Sequence, residues 1–204
     1  SEEADADFYM KRGRAYLKKG EHIKAITDFS NAIRLEPDNA LAHYQRGWTY
    51  TVIGALEKSI LDFSQAIRLK PDYIAAYGDR AVAYGVSGND EKAIEDFSHI
   101  IRLEPNLFKG YYSRGEAYHR KKRFDEAIAD FTKVIRLKPD LRSAYSSRAR
   151  TYMAKGKHDK AIMDYNEAIK LDPDYADAWY NRGIAYRKKC DYDQAIGDYS
   201  EAIR

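Results

Sequence analysis

The side chains able to act as bases, nucleophiles or metal ligands are scattered through the chain rather than gathered. There are five histidines (His22, His43, His99, His119 and His158) and one cysteine, Cys190. No HExxH, CxxC or EF-hand spacing occurs, and no Gly-rich phosphate loop. A nucleophilic cysteine needs a base and an oriented site, and no motif near Cys190 supplies them. Carboxylates are frequent, but on solvated helix faces a pair of them is ordinary surface. These residues point to a chain with no catalytic site, no metal and no cofactor. A single cysteine excludes an intrachain disulfide and fits a reducing, cytoplasmic compartment. The chain begins at Ser1 rather than Met, so a removed leader stays open.

One charged set is regular. Arginine recurs at Arg12, Arg46, Arg80, Arg114, Arg148 and Arg182, and aspartate sixteen residues after each, at Asp28, Asp62, Asp96, Asp130, Asp164 and Asp198. Two readings compete: a ladder of cations for an acidic ligand, or an Arg–Asp bridge inside each unit. The bridge is favoured, because the two types always occur together and a guanidinium fork suits a partly buried carboxylate.

The spacing of that set is the period of the whole chain. All five prolines stand 34 residues apart, at Pro37, Pro71, Pro105, Pro139 and Pro173, and 204 residues make six periods. With proline at position 32, the repeats are 6–39, 40–73, 74–107, 108–141, 142–175 and 176–204. A period of this size means each unit buries its apolar face against its neighbours, so the whole chain reads as one domain. The histidines fall at four different repeat positions and share no face.

Each repeat carries two helical patterns. In the first, position 8 is always Gly or Ala and position 11 always Tyr, which suggests a ring set against a missing side chain. In the second, positions 20, 21, 24, 27 and 28 form an amphipathic stripe, as in Ala127, Ile128, Phe131, Val134 and Ile135. Gly20, Gly54, Gly88 and Gly156 stop the first helix. Lys122 and Cys190 replace that glycine in two repeats, where the turn should be strained. A basic residue and then proline end the second helix. Asp38, Asp72, Asn106, Asp140 and Asp174 follow as helpers in capping the next helix. The lead-in 1–5 is acidic, with Asp5 as the expected N-cap of the first helix.

An aromatic at position 4, Gly/Ala at 8, Tyr at 11, Ala at 20, Phe/Tyr at 24, Ala at 27 and Pro at 32 closely resemble the tetratricopeptide repeat. The resemblance covers nearly the whole chain in six copies. It implies an all-α fold, an α-solenoid of about 12 helices in antiparallel pairs, wound as a right-handed superhelix. It implies that first helices line a concave groove and that the chain is a scaffold for a peptide or partner protein. Arginine at position 7, where the family often has leucine, is a systematic departure.

By the same resemblance, positions 2, 5, 6, 9, 12 and 13 of the first helix face the groove. Repeats 2 and 3 stand out there: Leu41, Tyr44, Trp48, Val52, Val82 and Val86 are apolar where water is expected, with Gly78 and Gly85 leaving space. An exposed apolar patch marks a binding surface, and Trp and Tyr are frequent hot spots. The opposing reading packs these residues against neighbouring first helices. Tyr112, His119, Arg120, Arg150 and Tyr180 are the further groove candidates. No three-repeat frame supplies the Lys, Asn and Arg set with which one subgroup holds a terminal carboxylate. Repeat 1 has Met10 and Arg14 at the key positions, and repeat 4 has Tyr112 and Glu116.

Bulk composition narrows the partners. Net charge is +3 with the signs interleaved and no run of five or six like charges, which argues against nucleic acid. No apolar run reaches the ~18 to 20 residues of a membrane span. The leading reading is a non-catalytic protein-binding scaffold. The rivals are a docking or regulatory segment of a larger enzyme or signalling protein, and an array that self-associates through an uncapped C-terminal face. That face would carry Ile196, Tyr199 and Ile203.

Overall fold

The computed structural model describes residues 5–204; the acidic lead-in 1–4 lies outside the described residues. Two compact units form, Ser1–Leu103 and Glu104–Arg204, each of three repeats. The first unit holds α1 (Ala6–Lys18), α2 (His22–Leu35), α3 (Ala40–Val52), α4 (Leu56–Leu69), α5 (Ile74–Val86) and α6 (Asp90–Leu103). The second holds α7 (Phe108–Arg120), α8 (Phe124–Leu137), α9 (Arg142–Ala154), α10 (His158–Leu171), α11 (Ala176–Lys188) and α12 (Tyr192–Ala202). In each unit the helices pair within a repeat, and the pairs stack in chain order as an α-solenoid.

The turns inside the repeats follow from backbone chemistry. Gly20, Gly54, Gly88 and Gly156 sit at φ between +70° and +77°, where a side chain costs energy. Lys122 and Cys190 adopt the same conformation at φ 59° and 63°, so the strain expected of those two turns is present. Asp5 caps α1, its Oδ1 accepting from the Phe8 amide at 2.7 Å. The caps expected from the Asp or Asn after proline are not formed. The residue at the N-cap is the next one along: Asn39, Tyr73, Leu107, Leu141 and Tyr175. Only Asn39 among them caps with its side chain, accepting from Ala42 N at 3.0 Å. Asp38 and its counterparts stand one residue too early to meet the first-turn amides, which turn instead to backbone carbonyls such as Tyr73 O.

The small residue at position 8 has a packing reason, but its ring partner comes from the second helix. A Cβ on Gly13 would lie 2.7 Å from Phe29 Cε1, one on Gly115 2.9 Å from Phe131 Cε1, and one on Gly183 2.7 Å from Tyr199 Cε1. Phe29, Phe63, Phe131 and Tyr165 are all fully buried at position 24. Tyr16, Tyr84, Tyr118 and Tyr186 of position 11 instead flank the arginines of position 7.

Candidate binding face

The arginine ladder is structural. Each position-7 guanidinium forks onto the position-23 aspartate of its own repeat. Arg80 Nε donates to Asp96 Oδ2 at 2.8 Å and its Nη2 to Oδ1 at 2.7 Å. The same two bonds occur at Arg12–Asp28, Arg46–Asp62, Arg114–Asp130, Arg148–Asp164 and Arg182–Asp198. All six aspartates are buried. Aromatic rings flank the cation: Tyr77 and Tyr84 stand 5.5 and 5.9 Å from Arg80 Cζ, and Trp179 and Tyr186 stand 4.6 and 5.9 Å from Arg182 Cζ.

A third bond went unseen in the sequence. The remaining Nη1 reaches back to position 25 of the preceding repeat: Arg46 to Ser30, Arg80 to Ser64, Arg148 to Thr132 and Arg182 to Asn166, at 2.6 to 3.0 Å. The small polar residue recurring at position 25 was its signal. One side chain thus joins two helices of a repeat and ties the repeat to its neighbour. The bonded partners raise the arginine pKa values further above their usual range. Burial alone would raise Asp62; hydrogen bonds from Arg46 and then His43 outweigh it and hold this carboxylate below the usual range.

On the first unit, the expected apolar row is open to solvent. Leu41, Trp48 and Val52 on α3 and Val82 and Val86 on α5 are all exposed, Trp48 by 41% and Val86 by 70%. Packing against neighbouring first helices therefore does not consume them. A cavity of about 460 Å³ lies beside Trp48, lined also by Arg14, Leu17 and Lys18 of α1 and by Tyr44 and Gln45. Tyr44 is a fixed wall rather than a free anchor. Its hydroxyl donates to Asp79 Oδ2 at 2.7 Å, and its ring packs 4.9 Å from Tyr73. Burial pushes the Tyr44 hydroxyl and the Asp79 carboxyl both above their ordinary values, with the Tyr44 bond opposing the shift at Asp79. At Gly78 an added Cβ would meet only Ile100 Cδ1, at 3.8 Å. Arg14, Leu17 and Lys18 stand at groove positions of repeat 1, and that register was the signal that placed them here.

On the second unit, the candidate residues are largely engaged with one another. Tyr112 donates to Ser147 Oγ at 3.1 Å, and Ser147 Oγ donates on to Glu116 Oε1 at 2.7 Å. Arg150 Nη2 donates to the other carboxylate oxygen at 2.6 Å. Thr151 Oγ1 spends its proton on Ser147 O, so the His119 Nδ1–H is the donor in their 2.9 Å contact. Burial and then the Arg150 charge lower the His119 pKa. Tyr112, Glu116, Ser147 and Arg150 line a polar cavity of about 220 Å³ with Asp177 and Asn181. Tyr180 is exposed, its ring 5.7 Å from that of Tyr199, and Arg120 is also exposed.

The remaining histidines sit in unrelated places. His43 contacts Asp62 Oδ1 and Pro37 O, and His99 stacks on Tyr77 at 4.2 Å between ring centroids. His22 and His158 open α2 and α10. Cys190 is exposed at its turn. Among the described residues no cluster of three or more His, Cys, Asp or Glu could hold a metal ion, and no helix is long and apolar enough to cross a membrane.

Comparison with known proteins follows the same repeats. A family model described as TPR repeat matches residues 13–51 and 149–189, and models described as tetratricopeptide repeat match 40–73, 108–141 and 176–204. No curated protein matches the chain in sequence. Among solved structures, MamA protein is similar at TM-score 0.79 and 26% identity, covering 84% of this chain and 93% of that one. A tetratricopeptide repeat protein from Parabacteroides merdae is similar at TM-score 0.86 and 20% identity, covering 97% and 78%. YrrB, described as a TPR protein with an unusual peptide-binding site, is similar at TM-score 0.70 and 20% identity, covering 86% and 90%.

Proposed function

The chain belongs to the tetratricopeptide repeat family, and from that premise we propose that it is a non-catalytic interaction scaffold that binds a peptide or partner protein on its first helices. The observation that carries this is the exposed row of Leu41, Trp48, Val52, Val82 and Val86 beside an open cavity. Covering the exposed part of Trp48 removes about 100 Å² from water, a driving force of about 2–3 kcal/mol. The peptide-binding site named for YrrB supports the reading by likeness of fold. The carboxylate-holding set of one subgroup has no counterpart here, so the ligand is held another way.

Selection of displayed random peptides on the intact chain tests the proposal. Wild type should enrich a family of sequences, and Trp48→Ala should enrich none while melting within a few degrees of wild type. Equal enrichment by Trp48→Ala sinks it.

The first and last repeats expose apolar side chains at positions where the inner repeats are buried. Position 3 of the first helix is a buried Ala or Gly in five repeats (Ala42, Ala76, Gly110, Ala144, Ala178), where helices pack closely. In the first repeat it is Phe8, whose ring lies 5.0 Å from Arg12 Cζ. Ile196 on α12 and Ile203 at its C-cap are 64% and 89% exposed, against 9% and 8% for Ile162 and Ile169 on α10.

A further inference from the structure

Resting on the groove-binding proposal, we infer that the first-unit face takes an acidic, apolar peptide: a segment presenting carboxylates beside a bulky hydrophobic side chain. The argument is an asymmetry of pairing. The charged side chains lining the Trp48 cavity are Arg14 and Lys18, four residues apart on α1 and so on one face of the helix. Both are exposed, and neither makes an ion pair or hydrogen bond among the described residues.

Neighbouring charges are already committed. Lys11 bridges Asp7 at 2.6 Å, Arg12 is forked onto Asp28, and Asp79 is turned to the Tyr44 hydroxyl. The cavity therefore offers two uncompensated cations on one wall and Trp48, Tyr44 and Leu17 on the others. The second unit shows the alternative. The cation lining its polar cavity, Arg150, is bridged by Glu116, so that cavity supplies its own carboxylate. At the Trp48 cavity the carboxylate has to come from outside. The apolar walls give the hold, and the cations select the sign and speed the encounter. A basic peptide would meet Arg14 and Lys18 as like charges, and a purely acidic one would leave Trp48 uncovered.

The experiment uses the intact chain and three labelled peptides of equal length, read by fluorescence anisotropy at low salt. One alternates Glu with Leu and Phe. The second has Lys for Glu, and the third has Ser for Leu and Phe. Wild type should bind the first at least about tenfold more tightly than the others, an advantage of about 1.4 kcal/mol. Raising the salt should shrink the gap between the first two. Arg14→Glu with Lys18→Glu should reverse the charge preference. Arg14→Gln with Lys18→Gln should abolish it, and serves if the reversal disturbs folding. Equal binding of the Glu and Lys peptides, both lost in Trp48→Ala, overturns the acidic preference and leaves the groove standing. Binding indifferent to Trp48→Ala, or no binding of any peptide, overturns the groove proposal and this inference together.

Discussion

The losses from removing Arg148 and Asp164 one at a time should sum to more than the loss from removing both together. Asp164 is 9% exposed by side chain and Arg148 is 17% exposed. Two bonds of 2.8 and 2.7 Å join them, and Arg148 keeps a third to Thr132 at 2.9 Å. Arg148→Ala strands a buried carboxylate, a loss of about 3–5 kcal/mol. Asp164→Ala strands a cation that retains Thr132 and reaches the surface, so about 2–3 kcal/mol is expected. The double variant should lose only about 3 kcal/mol, because the second deletion removes a group already stranded. Coupling of about 2–5 kcal/mol follows. Arg148→Met with Asp164→Leu should recover most of the loss, since an apolar pair of similar volume has no charge to desolvate. Urea unfolding of the intact chain measures this, and in a Trp48→Phe background Trp179 reports on the second unit alone. Losses that add to within about 0.5 kcal/mol would refute the pairing argument. The same cycle at Arg12–Asp28 should give a smaller coupling, because Arg12 is 45% exposed against 17% for Arg148.

Lys122→Gly and Cys190→Gly should each stabilise the chain by about 1 kcal/mol in urea unfolding, since among the described residues only their turns force a side chain into the left-handed region. Gly197→Ala should gain about 0.5–1 kcal/mol, because its Cβ would meet nothing within 4 Å. Gly115→Ala should lose about 1 kcal/mol or more, because its Cβ would press on the buried Phe131 ring, and the reverse order of these two variants would contradict the packing given for position 8. Carboxyl NMR should find Asp62 titrating below and Asp79 above the ordinary range. The signs are opposite: the contribution of Asp62 is present above the unfolded pKa and lost as pH falls through its folded value, whereas Asp79 lowers stability as pH rises from the unfolded value through its folded one. Asp79→Asn should therefore be neutral or stabilising at pH 7, keeping the Tyr44 bond, while Asp62→Asn destabilises.

What the sequence disclosed was whatever depends on a neighbour at fixed spacing. The helix pairs, the left-handed stops and the Arg–Asp forks all lie within one repeat, sixteen residues or fewer between partners, and six copies repeat the signal. The helix caps misled because one residue of offset decides whether a side chain reaches the first-turn amides. The groove positions were legible as places but not as states, because their partners lie in the next repeat. Tyr44 bonds Asp79 and Tyr112 bonds Ser147, both across 35 residues, from position 5 to position 6 of the following repeat. A tyrosine at position 5 is thus a ligand anchor only where that partner is missing. Tyr180 stands at the same position and is exposed. The same test separates Trp48 from the tyrosines. It stands at position 9, is exposed although a repeat does follow, and its indole makes no hydrogen bond among the described residues. Trp48 is therefore the aromatic on which the binding proposal stands, and Tyr44 and Tyr112 are the walls that keep its surroundings in place.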